Sequence, residues 1–307
     1  MLDVSDAVDL LFTGVVPERA QELKHLWGDD GNRVRLLPTE GFLLHQLPGT
    51  NVIQVNEIAL RQIWLIGFAA WDAVDAYAGV MRLLLMSNQP FEPACLKVLD
   101  RQMELDAKFD RALKRVQELG RCGSVDEFEW PKDVPEPTIG LKIRDIAQKA
   151  IFELVCIAGG FVFLHEIRHG ILDRDGKRPV QLIDEERECD QFARIFITSE
   201  VRTYSAQTGD SEIEVRAKRL LGIVIALLTI LVVTPRQYWG KSSSHPSVRE
   251  RIETVLKSDA CKHLSETFWL TCASMLGSFA RHFGLLSDSI PFANFEELAL
   301  SICEVLP

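Results

Sequence analysis

The stretch Leu154-Val-Cys-Ile-Ala-Gly-Gly-Phe-Val-Phe-Leu-His165-Glu166-Ile-Arg-His169-Gly170 carries no charge from 154 to 164 and then meets two histidines and a glutamate. Such a run inside a helical pattern is the core-facing part of a helix, predicted here over 140–171. Polar groups at its end are costly to bury unless something satisfies them. The spacing names the partner. Residues i and i+4 of a helix share a face about 6 Å apart, so His165 and His169 can reach one tetrahedral cation, with Glu166 beside them to handle a water.

A catalytic zinc takes three protein ligands and keeps a fourth position open, so a third ligand belongs on a neighbouring element. The loop Asp173-Arg-Asp-Gly-Lys-Arg-Pro179 reverses the chain, and the next helix, predicted over 181–207, contains Asp184-Glu-Glu-Arg-Glu-Cys-Asp190. At about 100° per residue its apolar stripe is Leu182, Cys189, Ala193 and Phe196, with Glu186 at the centre, Glu185 at the margin and Glu188 pointing away. A carboxylate centred on an apolar stripe favours Glu186 as the third ligand, ahead of Glu185, with Cys189 as a thiolate behind both. Asp190, one turn on, is placed to hydrogen-bond a metal-bound histidine.

Farther out, the first 56 residues mix a short helix with strand-like pieces at 34–37, 42–46 and 52–55, separated by proline and glycine. Helical periodicity follows over 57–86 and 94–119, the second with a solvated face of Arg101, Glu104, Lys108, Asp110, Arg111 and Lys114. The acidic, proline-bearing segment 122–137 reads as a linker between an N-terminal α+β region (1–125) and a helical part (138–307). Further helices are predicted near 211–233, 246–257, 261–284 and 293–305. The fold class expected is mainly α with a small β portion near the N-terminus. Trp64, Trp71 and Trp269 are expected in the core, and His25, His45, His263 and His282 as satisfied groups with no ligand role.

An apolar content of 47% supports a sizeable core, and a net charge of -10 without a cluster of lysine and arginine argues against a nucleic-acid partner. Seven scattered cysteines with no C-x-x-C pair read as free thiols of a reducing compartment, and the acidic N-terminus does not resemble a signal peptide. The location expected is cytoplasmic. The uncharged run 220–234 falls short of the roughly 20 residues that a spanning helix needs, so it reads as a core helix in preference to membrane contact.

The H-E-x-x-H pattern followed by Glu186-x-x-x-Asp190 resembles the gluzincin zinc peptidases, including the HtpX and Ste-type group, and Ser244-His-Pro-Ser-Val-Arg-Glu-Arg-Ile252 is similar to that group's later H-P-x-x-x-x-R-I motif. The resemblance spans 165–252. It implies a zincin-like helical metallopeptidase core with zinc on His165, His169 and Glu186, Glu166 as general base, Asp190 behind a histidine ligand, and His245 and Arg251 near the substrate or the helix that bears Glu186. Arg168, the short gap from His169 to Glu186 and the lack of long spanning helices depart from the HtpX pattern. In size, helical content and motif placement the chain is also similar to the Lit-like phage-exclusion peptidases, bacterial proteins that act on a translation elongation factor.

The chemistry expected is peptide hydrolysis. Zinc lowers the pKa of a water toward ~7, Glu166 takes its proton and passes it to the leaving amine, and His245 hydrogen-bonds the oxyanion. The substrate expected is a protein or peptide, an elongation factor if the Lit-like resemblance holds. The rival expectation is a non-catalytic helical regulatory or membrane-associated protein with a structural zinc site. A base beside an open coordination position argues against it, while hydrolysis of a non-peptide amide would share all the metal chemistry.

Overall fold

The computed structural model describes residues 11, 14–26, 33–96, 99, 101–138, 141–143, 145–239 and 242–307. After the short helix α1 (Ala20–Lys24), strands β1 (Arg33–Leu36), β2 (Leu44–Gln46) and β3 (Val52–Val55) form one sheet in the order β1-β3-β2. β3 runs parallel to β1 and antiparallel to β2, with Leu44 opposite Val55 and Gln46 opposite Ile53, so β2 is an edge strand. The expected strand at 52–55 coincides with β3; β1 starts one residue before the expected 34–37, and β2 keeps only the second half of 42–46.

Asn56 joins this sheet to the helices. Its side-chain oxygen accepts the Ala59 N–H at 2.9 Å, capping α2 (Glu57–Met86), and its amide donates to the carbonyls of Thr39 and Gly41 at 2.7 and 2.8 Å. The remaining helices are α3 (Pro93–Leu96), α4 (Gln102–Leu119), α5 (Ile146–Arg174), α6 (Leu182–Thr198), α7 (Val201–Thr208), α8 (Glu212–Val233), α9 (Val248–Leu256), α10 (Glu266–His282) and α11 (Phe295–Glu304). The fold is mainly helical with a small N-terminal sheet.

α5 holds the middle, packed by α2, α6 and α8. Two glycines permit its close neighbours: a Cβ on Gly67 of α2 would fall 2.2 Å from Val155 Cγ2, and one on Gly222 of α8 would fall 2.5 Å from Ile157 Cγ2 and 3.1 Å from the Leu154 carbonyl. The run 220–234 lies in this packing, with Leu220, Ile223, Val224, Leu227, Leu228 and Leu231 all buried. Against the expected lack of long spanning helices, α2 and α5 are long and apolar enough to cross a membrane, and 67% of each apolar window is buried within the fold.

Three further expectations need correction. The helix expected over 94–119 is instead α3 and α4, with Arg101 before α4 in the left-handed region at φ 67°. The helix expected over 181–207 is instead α6 and α7, the chain leaving helical geometry at Glu200, and two guanidinium groups take terminal carbonyls of α6: Arg19 binds Phe196 at 2.8 Å and Arg219 binds Ile197 at 2.7 Å. Trp64 and Trp269 are buried, but Trp71 is 43% exposed. Trp64 packs edge-on against Phe152, with ring centroids 5.7 Å apart, and the Pro135 carbonyl accepts its Nε1–H at 2.9 Å, whereas Trp71 stands two turns on, toward solvent.

Candidate active site

The apolar demand of its middle third drives α5 into the core, and the helix carries His165 and Glu166 in with it, both below one-tenth exposed. α6 packs beside it and brings a row of carboxylates to the imidazoles. The two Nε2 atoms face each other at 3.1 Å. Glu186 closes the triangle, with one oxygen 3.4 Å from His165 Nε2 and the other 3.3 Å from His169 Nε2.

The opposite nitrogens are also taken. His165 Nδ1 lies 2.9 Å from Asp190 Oδ1, and His169 Nδ1 lies 2.7 Å from Glu185 Oε1. A carboxylate accepts and cannot donate, so each Nδ1 carries the proton and each Nε2 presents a lone pair. Two lone pairs and a carboxylate then converge on one point, an arrangement only a proton or a cation can satisfy. Ligand atoms about 2.0–2.1 Å from a tetrahedral centre stand about 3.3 Å apart, so these separations fit zinc.

Where no cation binds, a proton would fill that role. Burial disfavours a charged His165, but hydrogen bonds to Asp190 and Glu186 outweigh it and push its pKa up to about 10. Burial likewise works against an ionised Glu186, yet the two histidines hold its carboxyl far below the usual range. Asp190 is lowered against the pull of burial by Arg251, which grips both its oxygens, Nε to Oδ2 at 2.7 Å and Nη2 to Oδ1 at 2.5 Å. This bidentate clamp holds Asp190 toward His165.

Glu166 turns toward β2, where its Oε2 accepts the Gln46 backbone N–H at 2.6 Å. His245 sits at the rim, 62% exposed, with Nε2 3.6 Å from Glu186 Oε1 and Nδ1 2.8 Å from Ser244 Oγ. Arg168, the departure within the motif, points away, pairing with Glu188 at 2.5 Å and lying over the Phe192 ring. A cavity of ≈ 480 Å³ opens onto these groups, its apolar wall including Phe42, Leu44, Phe161, Val162 and Ile230.

The seven candidate residues His165, Glu166, His169, Glu186, Asp190, His245 and Arg251 thus come together in and around one cavity. The stripe drawn on α6 needs revision: Leu182 is 58% exposed, and Glu185 at 3% is more deeply buried than the helix periodicity indicated. The first turn of α6 brings Glu185 to His169 Nδ1 at 2.7 Å and leaves Leu182 outside the packing. The two imidazoles and Cys189 also form a set of ligand atoms within 4.8 Å of one another. Burial and the surrounding carboxylates push the Cys189 thiol well up as long as no cation is bound. Glu185 had a signal in sequence, since a second histidine needs a second Nδ1 acceptor. Gln46 had none.

A family profile described as Peptidase U49 matches residues 53–272, which include both halves of the site up to Arg251. The cell death peptidase of Escherichia coli (strain K12) is 26% identical over 242 residues, covering 78% of this chain and 74% of that relative. No solved structure matches.

Proposed function

The chain belongs to the Peptidase U49 family and is a peptidase, and from that premise we propose a zinc-dependent mechanism with His165, His169 and Glu186 as the ligands and Glu166 as the general base. The observation that carries the reading is the convergence of two imidazole lone pairs and one carboxylate at 3.1–3.4 Å, with both Nδ1 positions already committed to carboxylates. Zinc, when bound, supplies polarisation of the scissile carbonyl and acidification of a water toward a pKa of about 7.

The protein's own groups do the rest. With Oε2 tied to the Gln46 amide, Glu166 keeps Oε1 to receive a proton and return it to the leaving amine. Asp190 and Glu185 hold the imidazoles in the tautomer that exposes Nε2. His245, exposed at the rim, is the proposed donor to the developing oxyanion, worth about 3 kcal/mol in such a role. The apolar wall accepts side chains of a polypeptide, and a bacterial translation elongation factor is the substrate that the Lit-like resemblance suggests. The proposed location is the cytoplasm, where such a substrate resides, and no nucleic acid or membrane is needed for the reaction.

A structural metal site on His165, His169 and Cys189 is the second reading, favoured by their proximity. Metal analysis of the purified protein, followed by mapping of new N-termini in a bacterial lysate exposed to it, tests the first. Zinc near one per chain with discrete cleavages that vanish in Glu166→Gln supports it; absence of any metal, or cleavages that persist in that variant, sinks it.

A further inference from the structure

The base is held by a strand of three residues at the edge of a small sheet, and such an element needs an anchor. The turn that follows β2 has one on α5 and is braced from within. Gly49, with φ 74°, donates its N–H to the carboxylate of Asp173, one turn beyond His169 on α5. The Gln46 side chain folds into the same turn, its amide donating to the carbonyls of Leu47 and Thr50 at 2.7 and 2.5 Å. That leaves Gln46 Oε1 for Arg178, whose Nη2 lies 3.5 Å away.

Arg178 meets three partners at once. Its Nε lies 3.2 Å from Asp173 Oδ1 and 3.6 Å from Glu185 Oε1, aligned as a hydrogen bond on neither, so its charge is shared between them. Asp173 holds the turn, Glu185 holds His169, and Gln46 holds the base. Without the guanidinium, Asp173 and Glu185 would lose the charge that lies between them and Gln46 Oε1 would lose its donor, so the Asp173 carboxylate could swing away from the Gly49 N–H and the turn would be held less firmly to α5.

We propose that Arg178 is a positioning residue that locks the β2–β3 turn onto α5 and α6 and thereby fixes the direction of the Glu166 carboxylate. The inference rests on Glu166 acting as the base. Its role is distinct from that of a substrate ligand, which the 31% exposure of its side chain at the cavity wall would otherwise allow.

The test compares wild type with Arg178→Ala, Arg178→Gln and Arg178→Lys, by amide hydrogen exchange at 44–50, zinc content, and kinetics on a peptide identified in the lysate experiment. In Arg178→Ala, exchange at Gln46 and Gly49 should quicken about tenfold and kcat fall about tenfold or more, with KM within about twofold and zinc retained. Arg178→Lys should recover part of both effects, and Arg178→Gln less. A raised KM with kcat and exchange unchanged would make Arg178 a substrate contact, and an unaltered protein would remove its role; either overturns the proposal. Glu166→Gln in the same assay keeps the premise separate: if it is inactive while Arg178→Ala matches wild type, only the locking role fails.

Discussion

Glu185 and Glu186 are neighbours in sequence yet take opposite nitrogens of one imidazole, Glu185 Oε1 standing 2.7 Å from His169 Nδ1 and Glu186 Oε1 standing 3.3 Å from His169 Nε2. One side chain selects the tautomer, and the other shares the position to which that tautomer points. Adjacent carboxylates therefore have separable tasks.

Removal of the Glu185 acceptor leaves the His169 tautomer free. Glu185→Ala is expected to weaken zinc binding by about 10- to 100-fold, the usual cost of losing a partner behind a histidine ligand, while Glu185→Gln, whose amide oxygen still accepts from Nδ1, loses less. Competition against a chelator measures both. Equal losses in the two variants would mean that charge, not tautomer selection, is what Glu185 contributes.

Glu166 and Glu186 should separate on metal content. Glu166→Gln keeps all three proposed ligands and loses the base, so zinc stays while activity drops by a factor on the order of 10² or more. Glu186→Ala removes a ligand, and zinc affinity falls steeply with activity. Retention of tightly bound zinc by Glu186→Ala would transfer the third-ligand role elsewhere, with Cys189 the next residue to replace.

Replacement of His245 by Phe is expected to lower turnover with zinc stoichiometry near that of wild type, since the side chain is proposed to meet the transition state. Loss of zinc in this variant would instead make His245 a ligand.

The metal-free protein should show a distinct pH dependence. The pKa of His165 is raised from 6.5 to about 10, so its contribution to stability is fully present below pH 6.5 and is lost as pH rises through about 10. Tm of the metal-free protein should fall across that window. The zinc-loaded protein has already released this proton and should hold its Tm over the same range, and zinc binding at pH 7 should liberate protons measurable by calorimetry in two buffers. Parallel Tm curves for the two forms would contradict the proton-filled site.

The crossing of α5 and α8 offers a test away from the chemistry. Gly222→Ala places a methyl 3.1 Å from the Leu154 carbonyl, a backbone atom that cannot swing aside, and 2.5 Å from Ile157 Cγ2. A loss of about 1–3 kcal/mol is expected, read as a lowered Tm. An unchanged Tm would show that the two helices can separate freely.

What could be read along the chain were relations within one or two turns of helix. The 165–169 spacing stacks two imidazoles because 3.6 residues make a turn, and the 186–190 spacing sets a carboxylate pair on the next helix for the same reason. The buried course of α5 and α8 followed from uncharged runs, and the strand at 52–55 from its flanking turn residues. Trp71, Leu182 and the length of α6 were misread because periodicity reports a face without saying what covers it.

Tertiary structure alone decided the contacts that cross long gaps. Nothing near residue 46 marks it as the holder of a carboxylate 120 positions away, and nothing in the 173–181 loop marks Arg178 as its brace. Both depend on where a three-residue edge strand is carried by its pairing with β3 and by the cap at Asn56. The sequence by itself determined which atoms have the chemistry to hold a cation and move a proton, because those are properties of side chains at helical spacing. The packing of a small sheet against α5 decided how the base is aimed, because an orientation exists only once separate segments share a surface.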